Sequence, residues 1–213
     1  KAFFVRGSTD VSFRVKLEKK EDFRIEDLYN PDLIVDDIRI KVLIPTLKYI
    51  IERGGKIVLQ PGWIGRPRGK EVPQFSLIPV YLRLKQLLEE EGLLRHEMLM
   101  APNSLTGQIK SVYRNQEEVR QIAATLEEEQ IVLLENPRFD PEEDANDEGY
   151  AQFLASLADY YVSDCFAQLH RPTGSIKAIT KYLPAYMGIQ EEGEIRYIRG
   201  IREELLKKER KPF

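Results

Sequence analysis

The chain has 213 residues, of which 42% are hydrophobic and 31% are charged, and its formal net charge is −3. This composition is typical of one globular domain, or at most two small ones, and argues against a disordered chain. The near balance of 32 basic and 35 acidic residues argues against general nucleic-acid binding and against binding to anionic membranes. No apolar run approaches the roughly 20 residues of a membrane-spanning helix. A single cysteine, Cys165, excludes an internal disulfide and favours a reducing compartment.

Patterns typical of strands and helices alternate along the chain. Strands are predicted at residues 2–5, 56–59, 98–100, 131–134 and 160–162, and helices at residues 38–51, 77–88, 119–126, 153–158 and 195–206. Pro45 lies inside the first helical pattern and should kink or break it. The alternation predicts an α/β fold of three layers, α/β/α, with a mainly parallel sheet and helices on both faces.

Three polar segments interrupt this alternation. Residues 13–32 are highly charged and residues 103–115 are polar, and both look like insertions. We expect the first to be a solvated loop, with an arm that binds a protein partner as the alternative. The acidic run at residues 140–147 is predicted to be a capped, solvated loop, and the sequence gives no support for metal binding there.

Arginines occur at or shortly after the carboxyl ends of the predicted strands, where ligands bind in such folds. They are Arg39, Arg66, Arg138 and Arg171, with Arg6 as a fifth that lies nearer its strand. Because a guanidinium group binds phosphate or carboxylate in a bidentate manner, this set suits a small multiply charged anion. The alternative is a set of surface arginines in solvated ion pairs.

Other catalytic patterns are weak. The sequence contains neither the G-x-x-x-x-G-K-[ST] phosphate loop nor the G-x-G-x-x-G dinucleotide fingerprint. Cys165 is predicted to be a small buried residue rather than a nucleophile activated by His170. His96 is predicted at a surface or edge, and the two histidines form no metal-ligand cluster.

Several segments, in chain order, resemble the N-terminal domain of phosphoglycerate kinase. Residues 1–10 (KAFFVRGSTD) resemble the family's first strand and its V-R-x-D-F-N loop, and residues 35–46 (VDDIRIKVLIPT) resemble its D-D-T-R-I helix start. The remaining similar segments are 63–69 (WIGRPRG, resembling H-L-G-R-P-x-G), 76–84 (SLIPVYLRL), 132–139 (VLLENPRF), 155–171 (ASLADYYVSDCFAQLHR) and 194–213, which resembles the interdomain helix and its R-P-F exit.

The resemblance implies an N-domain-like α/β domain at residues 1–188 and an interdomain-type helix at residues 189–213. That helix would lead to a nucleotide-binding domain that is absent from this sequence. The family transfers a phosphoryl group between ATP and 3-phosphoglycerate in glycolysis, and its N-domain binds the phosphoglycerate. The resemblance implies no cofactor in this chain, and Mg-ATP only if the second domain exists.

Transferred residue by residue, the resemblance implies roles for the arginines. Arg66, Arg138 and Arg171 match arginines that bind the substrate's phosphate group. Arg39 matches the arginine that faces the transferring phosphoryl group, where it would neutralise charge in the transition state. Arg39 is therefore the candidate catalytic residue, and the other three are candidate substrate-binding residues.

Other positions of the same site depart from the family pattern. Ser8 replaces the family's aspartate, Asp10 replaces its asparagine, and Trp63 replaces its histidine. An aspartate near a substrate carboxylate would be repelled by an amount of order a few kcal/mol at about 4 Å and an effective dielectric near 20. The arginines are retained while their polar neighbours have changed, which fits a site with altered ligand preference or one that has lost function.

These observations favour a divergent, non-catalytic structural or interaction module that retains an arginine-rich anion site. The alternative is the substrate-binding half of an active phosphoglycerate kinase. A third interpretation is a sensor that binds a small phosphorylated acid without turnover. The expected partners are 3-phosphoglycerate or a similar small anion, and a protein partner bound through residues 13–32. We expect cytoplasmic localisation, with a large cytoskeletal or organellar assembly as the alternative.

Overall fold

The computed structural model describes residues 1–13, 23–30 and 32–207 of the chain. The strands are β1 (Ala2–Gly7), β2 (Ser12–Phe13), β3 (Ile34–Asp36), β4 (Lys56–Gln60), β5 (Leu99–Ala101), β6 (Ile131–Leu134), β7 (Tyr160–Asp164) and β8 (Ala185–Met187). The α-helices are α1 (Ile38–Lys41), α2 (Ile44–Ile51), α3 (Ile78–Glu90), α4 (Gln116–Ala124), α5 (Pro141–Asp144), α6 (Glu148–Ala155) and α7 (Ile189–Lys207). Short 3-10 turns connect several of these elements.

The main sheet has six parallel strands in the order β5-β6-β4-β1-β7-β8. A separate two-stranded antiparallel ribbon is formed by β2 and β3. Successive strand residues point to opposite faces. Leu133 therefore packs in a core cluster with residues of α2 and α3, whereas Leu134 packs in a second cluster with residues of α4 and α6. Two cores on opposite faces of one parallel sheet confirm the predicted α/β architecture.

The first predicted helix is broken rather than kinked. It divides into α1 and α2, and Pro45 occupies the first turn of α2. Proline is tolerated there because the first-turn N–H groups have no partner within the helix. Asp36 supplies a side-chain acceptor at the start of α1, where its Oδ1 accepts from the Ile38 nitrogen at 2.9 Å.

Two elements near the end of the chain differ from the sequence prediction. The edge strand β8 was not predicted, because a three-residue run after Pro184 carries little periodicity. Helix α7 begins at Ile189, six residues before the predicted start at residue 195. The residues that hold this start come from distant strands and helices, and they are described with the site below.

The polar segments are more buried than the sequence predicts. The expectation of a solvated acidic loop is wrong, since Asp140 and Glu143 are almost completely buried at the start of α5. Val112, in the segment 103–115, is fully buried in the core. Leu28 is likewise fully buried, while residues 14–22 and 31 of the charged segment 13–32 lie outside the described residues. The proposed partner-binding arm therefore stays a prediction.

No helix among the described residues is both long enough and apolar enough to cross a membrane.

Candidate functional site

Three guanidinium groups surround the ring of Trp63. Their central carbons lie 4.1 Å (Arg138), 5.0 Å (Arg6) and 5.6 Å (Arg171) from the ring centroid. Trp63 is only 6% exposed and packs against Cys165 and Ile176. Guanidinium groups within about 6 Å of an indole ring are attracted by its quadrupole. The indole therefore holds together like-charged side chains from β1 and from two separate loops.

The loop that carries Trp63 is fixed to the loop that carries Arg138. Asn136 donates two hydrogen bonds of 2.8 Å from its side-chain nitrogen, one to the Ile64 carbonyl and one to the Phe75 carbonyl. Arg138 donates to the Gly65 carbonyl at 3.1 Å. Because these bonds join backbone to side chain across neighbouring strands, they set the distance between the indole and the Arg138 guanidinium.

Arg6 is fully buried at the carboxyl end of β1. Its Nε donates to Ser175 Oγ at 2.9 Å, one terminal nitrogen donates to Gln168 Oε1 at 3.0 Å, and the other donates to the Gly7 carbonyl. Ser175 in turn donates to Glu143 Oε1 at 2.6 Å, so a buried carboxylate lies behind the arginine. A buried cation that is hydrogen-bonded in this way is a structural centre of the site.

Arg138 is incompletely satisfied. Its side chain is 12% exposed, and its Nε lies 3.4 Å from Asp144 Oδ1 without forming a hydrogen bond. Burial lowers the pKa of Arg138, and the nearby Arg171 guanidinium lowers it further, although Asp144 and Asp10 act in the opposite direction. Arginine remains charged even so. Arg138 is thus a partly desolvated cation whose buried Nε has no hydrogen-bond partner among the described residues.

Arg66 and Arg171 are both exposed. Within residues 1–13, 23–30 and 32–207, neither side chain forms an ion pair or a hydrogen bond. Arg171 belongs to the group around Trp63. Arg66 follows Gly65 in the same loop as Trp63, and within the described part of the chain its guanidinium makes no cation–π contact with the indole. Both cations are available to an anion from solvent.

Arg39 and Ser8 lie in a separate cavity of about 210 Å³. Phe166, Gln190 and Glu194 also line this cavity, and Trp63, Arg138 and Arg171 do not. Ser8 Oγ is buried without a hydrogen-bond partner among the described residues. The structure therefore separates Arg39 and Ser8 from the group around Trp63, and Arg66 belongs to neither set.

Asp10 lies at the rim of the Trp63 group. It is exposed, and its Oδ2 accepts a 2.9 Å hydrogen bond from Gln168, the same residue that accepts from Arg6. Gln168 therefore connects a buried cation to an exposed carboxylate. A negative charge at this position would repel a second carboxylate that came close to it.

The N-terminus of α7 is fixed beside this site. Asp164 Oδ1 accepts from the Glu191 nitrogen at 2.9 Å, and Asp164 Oδ2 accepts from Thr46 Oγ1 at 2.6 Å. Thr46 Oγ1 also accepts from the Ile189 nitrogen at 2.9 Å, while Glu191 accepts from Ser163 Oγ at 2.6 Å. Burial raises the pKa values of Asp164 and Glu191. These bonds explain why α7 starts at Ile189.

Sequence reasoning missed the supporting residues of the site: Gln168, Ser175, Glu143 and the buried state of Arg6. One feature of the sequence could have indicated that Arg6 is buried. Arg6 lies at the end of an apolar strand, and the neighbouring strands of a parallel sheet are also buried. Cys165 is buried as predicted, and burial raises its thiol pKa. His96 is half-buried and lies 3.7 Å from Glu127.

The described residues contain no group of three or more His, Cys, Asp or Glu side chains that could hold a metal ion. What the arrangement offers is a concentration of guanidinium groups at the carboxyl edge of a parallel sheet. Such a set can bind and orient a small anion by charge-assisted hydrogen bonds.

Comparison with known proteins identifies the family of this fold. The sequence model described as phosphoglycerate kinase matches residues 26–213, which include Trp63 and the arginines from Arg39 onward. The chain belongs to the phosphoglycerate kinase family. The resemblance carried by its motifs is thereby confirmed at the level of the family.

The cytosolic phosphoglycerate kinase of Triticum aestivum is 42% identical over 168 residues, which cover 78% of this chain and 37% of that protein. The phosphoglycerate kinase of Syntrophobacter fumaroxidans is 37% identical over 200 residues, covering 93% and 42% of the two chains. The chain therefore spans about two-fifths of the length of these relatives.

Solved structures of phosphoglycerate kinases share the fold. The crystal structure of phosphoglycerate kinase from Pyrococcus horikoshii OT3 superposes with a TM-score of 0.65 at 24% identity, over 92% of this chain and 42% of that one. The enzyme from Coxiella burnetii gives the same TM-score, 0.65, at 25% identity, over 93% of this chain and 41% of that one.

Proposed function

We propose that this chain is an anion-binding domain of the phosphoglycerate kinase type, and that the arginines around Trp63 bind a small phosphorylated acid such as 3-phosphoglycerate. The observation that carries the proposal is that the Arg138 and Arg171 guanidinium carbons lie 4.1 Å and 5.6 Å from one ring, and that the exposed Arg171 guanidinium makes no hydrogen bond or ion pair with the described residues. Two adjacent cations without full partners repel each other. A bound dianion would remove that repulsion.

We further propose that these residues act without catalysing phosphoryl transfer by themselves. Two residues of the anion site disfavour a productive acceptor. Trp63 fills the space between the arginines, and Asp10 places a carboxylate at the rim.

A second candidate function is the acceptor-binding half of an active phosphoglycerate kinase. One observation favours it: Arg39 remains exposed and lines a cavity of about 210 Å³ with Ser8. Arg39 makes no ion pair with the residues that the structure describes, and a free arginine there could neutralise charge on a transferring phosphoryl group. In this case the nucleotide would be held by residues outside those described. Cytoplasmic localisation is proposed for either function, in line with the cytosolic relative from Triticum aestivum.

The binding proposal is tested by calorimetric titration with 3-phosphoglycerate at low ionic strength. Arg138→Ala and Arg171→Ala should each weaken binding by about 10–100-fold, the loss expected for a hydrogen bond to a charged group. Arg202→Ala removes the same charge from an exposed position on α7 and serves as the matched control. Trp63 is the only tryptophan, so its fluorescence reports the same site independently.

Binding that is lost in both site variants and retained in Arg202→Ala supports the proposal. No heat and no fluorescence change at millimolar ligand would overturn it. An ATP-consumption assay on the protein in its natural full length separates the two candidate functions. Turnover that is lost in Arg39→Ala would establish the second function, and absence of turnover together with binding would establish the first.

A further inference from the structure

A cavity of about 410 Å³ lies beside the edge strand β8. The residues that line it come from β7, from β8, from the segment between these strands and from the first turn of α7. Leu169, Ile176 and Met187 give it apolar surface, and Glu191 is the charged residue among the described residues that line it. The cavity thus combines apolar surface with one carboxylate, and it shares no residue with the arginine group around Trp63.

Glu191 is buried but keeps one oxygen free. The residue is only 4% exposed, and its Oε2 accepts from the Ser163 hydroxyl at 2.6 Å and from the Cys165 nitrogen at 3.4 Å. Its Oε1 accepts no hydrogen bond from any described residue, and unlike Ser8 Oγ it is not cut off from solvent. A hydrogen-bond acceptor is therefore left open at the wall of the cavity.

No cation among the described residues balances this carboxylate. Neither Glu191 nor the fully buried Asp164, which accepts from the Glu191 nitrogen at 2.9 Å, forms an ion pair in the part of the chain that the structure describes. Arg6 donates its hydrogen bonds to other acceptors. Burial raises the pKa of Glu191, and the charge of Asp164 raises it further. Because a buried charge is unfavourable unless it is paired, a cation in the cavity would stabilise the ionised carboxylate.

We propose that this cavity binds a small primary amine that carries an apolar group. The ammonium group donates to Glu191 Oε1, and the apolar group packs against Leu169, Ile176 and Met187. A primary ammonium suits the site because it is a compact charge with three N–H donors, one of which a single free oxygen can accept. The proposal is independent of the anion site, since the two sites have no residue in common.

The test compares benzylamine with benzyl alcohol, which has the same ring and shape but a neutral hydroxyl group in place of the ammonium. Each is titrated into the full-length protein at pH 8, where a primary amine is protonated, and binding is followed by ligand-observed NMR. We expect benzylamine to bind at least about tenfold more tightly, the gain of a hydrogen bond between charged groups. Equal affinities, or no binding of either compound at millimolar concentration, overturn the proposal.

A variant of Glu191 tests the role of the carboxylate. Glu191→Gln keeps an oxygen that can accept from the Ser163 hydroxyl but removes the charge. It should weaken benzylamine by about 10–100-fold and leave benzyl alcohol nearly unchanged. Glu203→Gln removes the same charge from an exposed position on α7 and should change neither affinity. Benzylamine that binds Glu191→Gln as tightly as the unaltered protein would show that this carboxylate is not the acceptor.

A second variant tests the position of the site without altering the carboxylate. Ala185 lies on the exposed strand β8 and lines the cavity, so Ala185→Phe should fill it and weaken both compounds by about tenfold or more. Unchanged binding in this variant would place the compounds elsewhere and overturn the proposal. Circular dichroism checks each fold. If Glu191→Gln does not fold, the comparison of the two compounds and the result for Ala185→Phe still decide.

Discussion

The guanidinium carbon of Arg138 lies 4.1 Å from the centre of the Trp63 ring. A terminal nitrogen of the same side chain donates to the carbonyl of Gly65, which lies two residues after Trp63. One side chain thus contacts both the ring and the backbone of the same loop. The contact joins the loop after β4 to the loop after β6, which are neighbouring parallel strands. Because a cation near a desolvated indole is stabilised by about 1–2 kcal/mol, this pair supports the shape of the anion site.

The buried position of Arg6 predicts a structural rather than a surface role. Arg6→Met removes the guanidinium group from which Gln168 and Ser175 accept hydrogen bonds. It also leaves the negative charge of Glu143 uncompensated. We expect the free energy of unfolding, measured by urea denaturation, to fall by about 3–5 kcal/mol. The exposed Arg39→Met should change it by less than about 0.5 kcal/mol. Equal effects of the two variants would contradict the buried network.

Asp140 should make stability depend on pH. Burial raises the pKa of this carboxyl group from 3.8 to about 6. A carboxyl group whose pKa is raised in the folded state lowers the free energy of unfolding when it ionises. This loss of stability is absent below about pH 4 and complete above about pH 6. Asp140→Asn keeps an oxygen that can accept from the Tyr113 nitrogen. We expect its advantage over the unaltered protein to grow from near zero to about 1–3 kcal/mol across that range.

The comparison for Asp140 is made by urea denaturation at a series of pH values. Glu128→Gln removes an exposed carboxylate and controls for the loss of one negative charge. An advantage of Asp140→Asn that shrinks as the pH rises would have the wrong sign and would show that the buried carboxyl group is stabilising when ionised.

Thr46 should hold the first turn of α7 in place. Its hydroxyl donates to Asp164 at 2.6 Å and accepts from the Ile189 nitrogen at 2.9 Å. Thr46→Val keeps the shape but removes both bonds, and should cost about 1–3 kcal/mol because Asp164 is left with an unsatisfied buried oxygen. Amide hydrogen exchange at Ile189 and Glu191 should accelerate. The exposed Thr180→Val is the control, and exchange that is unchanged in Thr46→Val would refute the anchor.

Leu134 tests the position of the central strands. It is fully buried at the end of β6. Leu134→Ala should lower the free energy of unfolding by about 2–5 kcal/mol through lost burial and the cavity that remains. The same truncation at Leu206, which is 69% exposed on α7, should change it by less than about 0.5 kcal/mol. A small loss at Leu134 would mean that β6 is not a core strand.

Local patterns of apolar residues were sufficient to predict the elements whose burial is evident from neighbouring residues in the sequence. The run of four apolar residues at 131–134 predicts β6 with its observed bounds, because a strand covered on both faces must be apolar throughout. The predicted strand at 98–100 is shifted by one residue from β5. The edge strand β8 could not be predicted, because its residues are exposed and its pairing with β7 is a long-range contact.

The sequence by itself determined the α/β class, the family through its ordered motifs, and the presence of arginines at the strand ends. Only the tertiary structure showed that Arg6 is buried, since its partner Ser175 lies 169 positions away. It also separated Arg39 from the Trp63 group and placed Glu143 of the acidic run in the interior. The physical reason is that periodicity reports which side of an element is buried, whereas the partner of a buried charge depends on how the elements pack together.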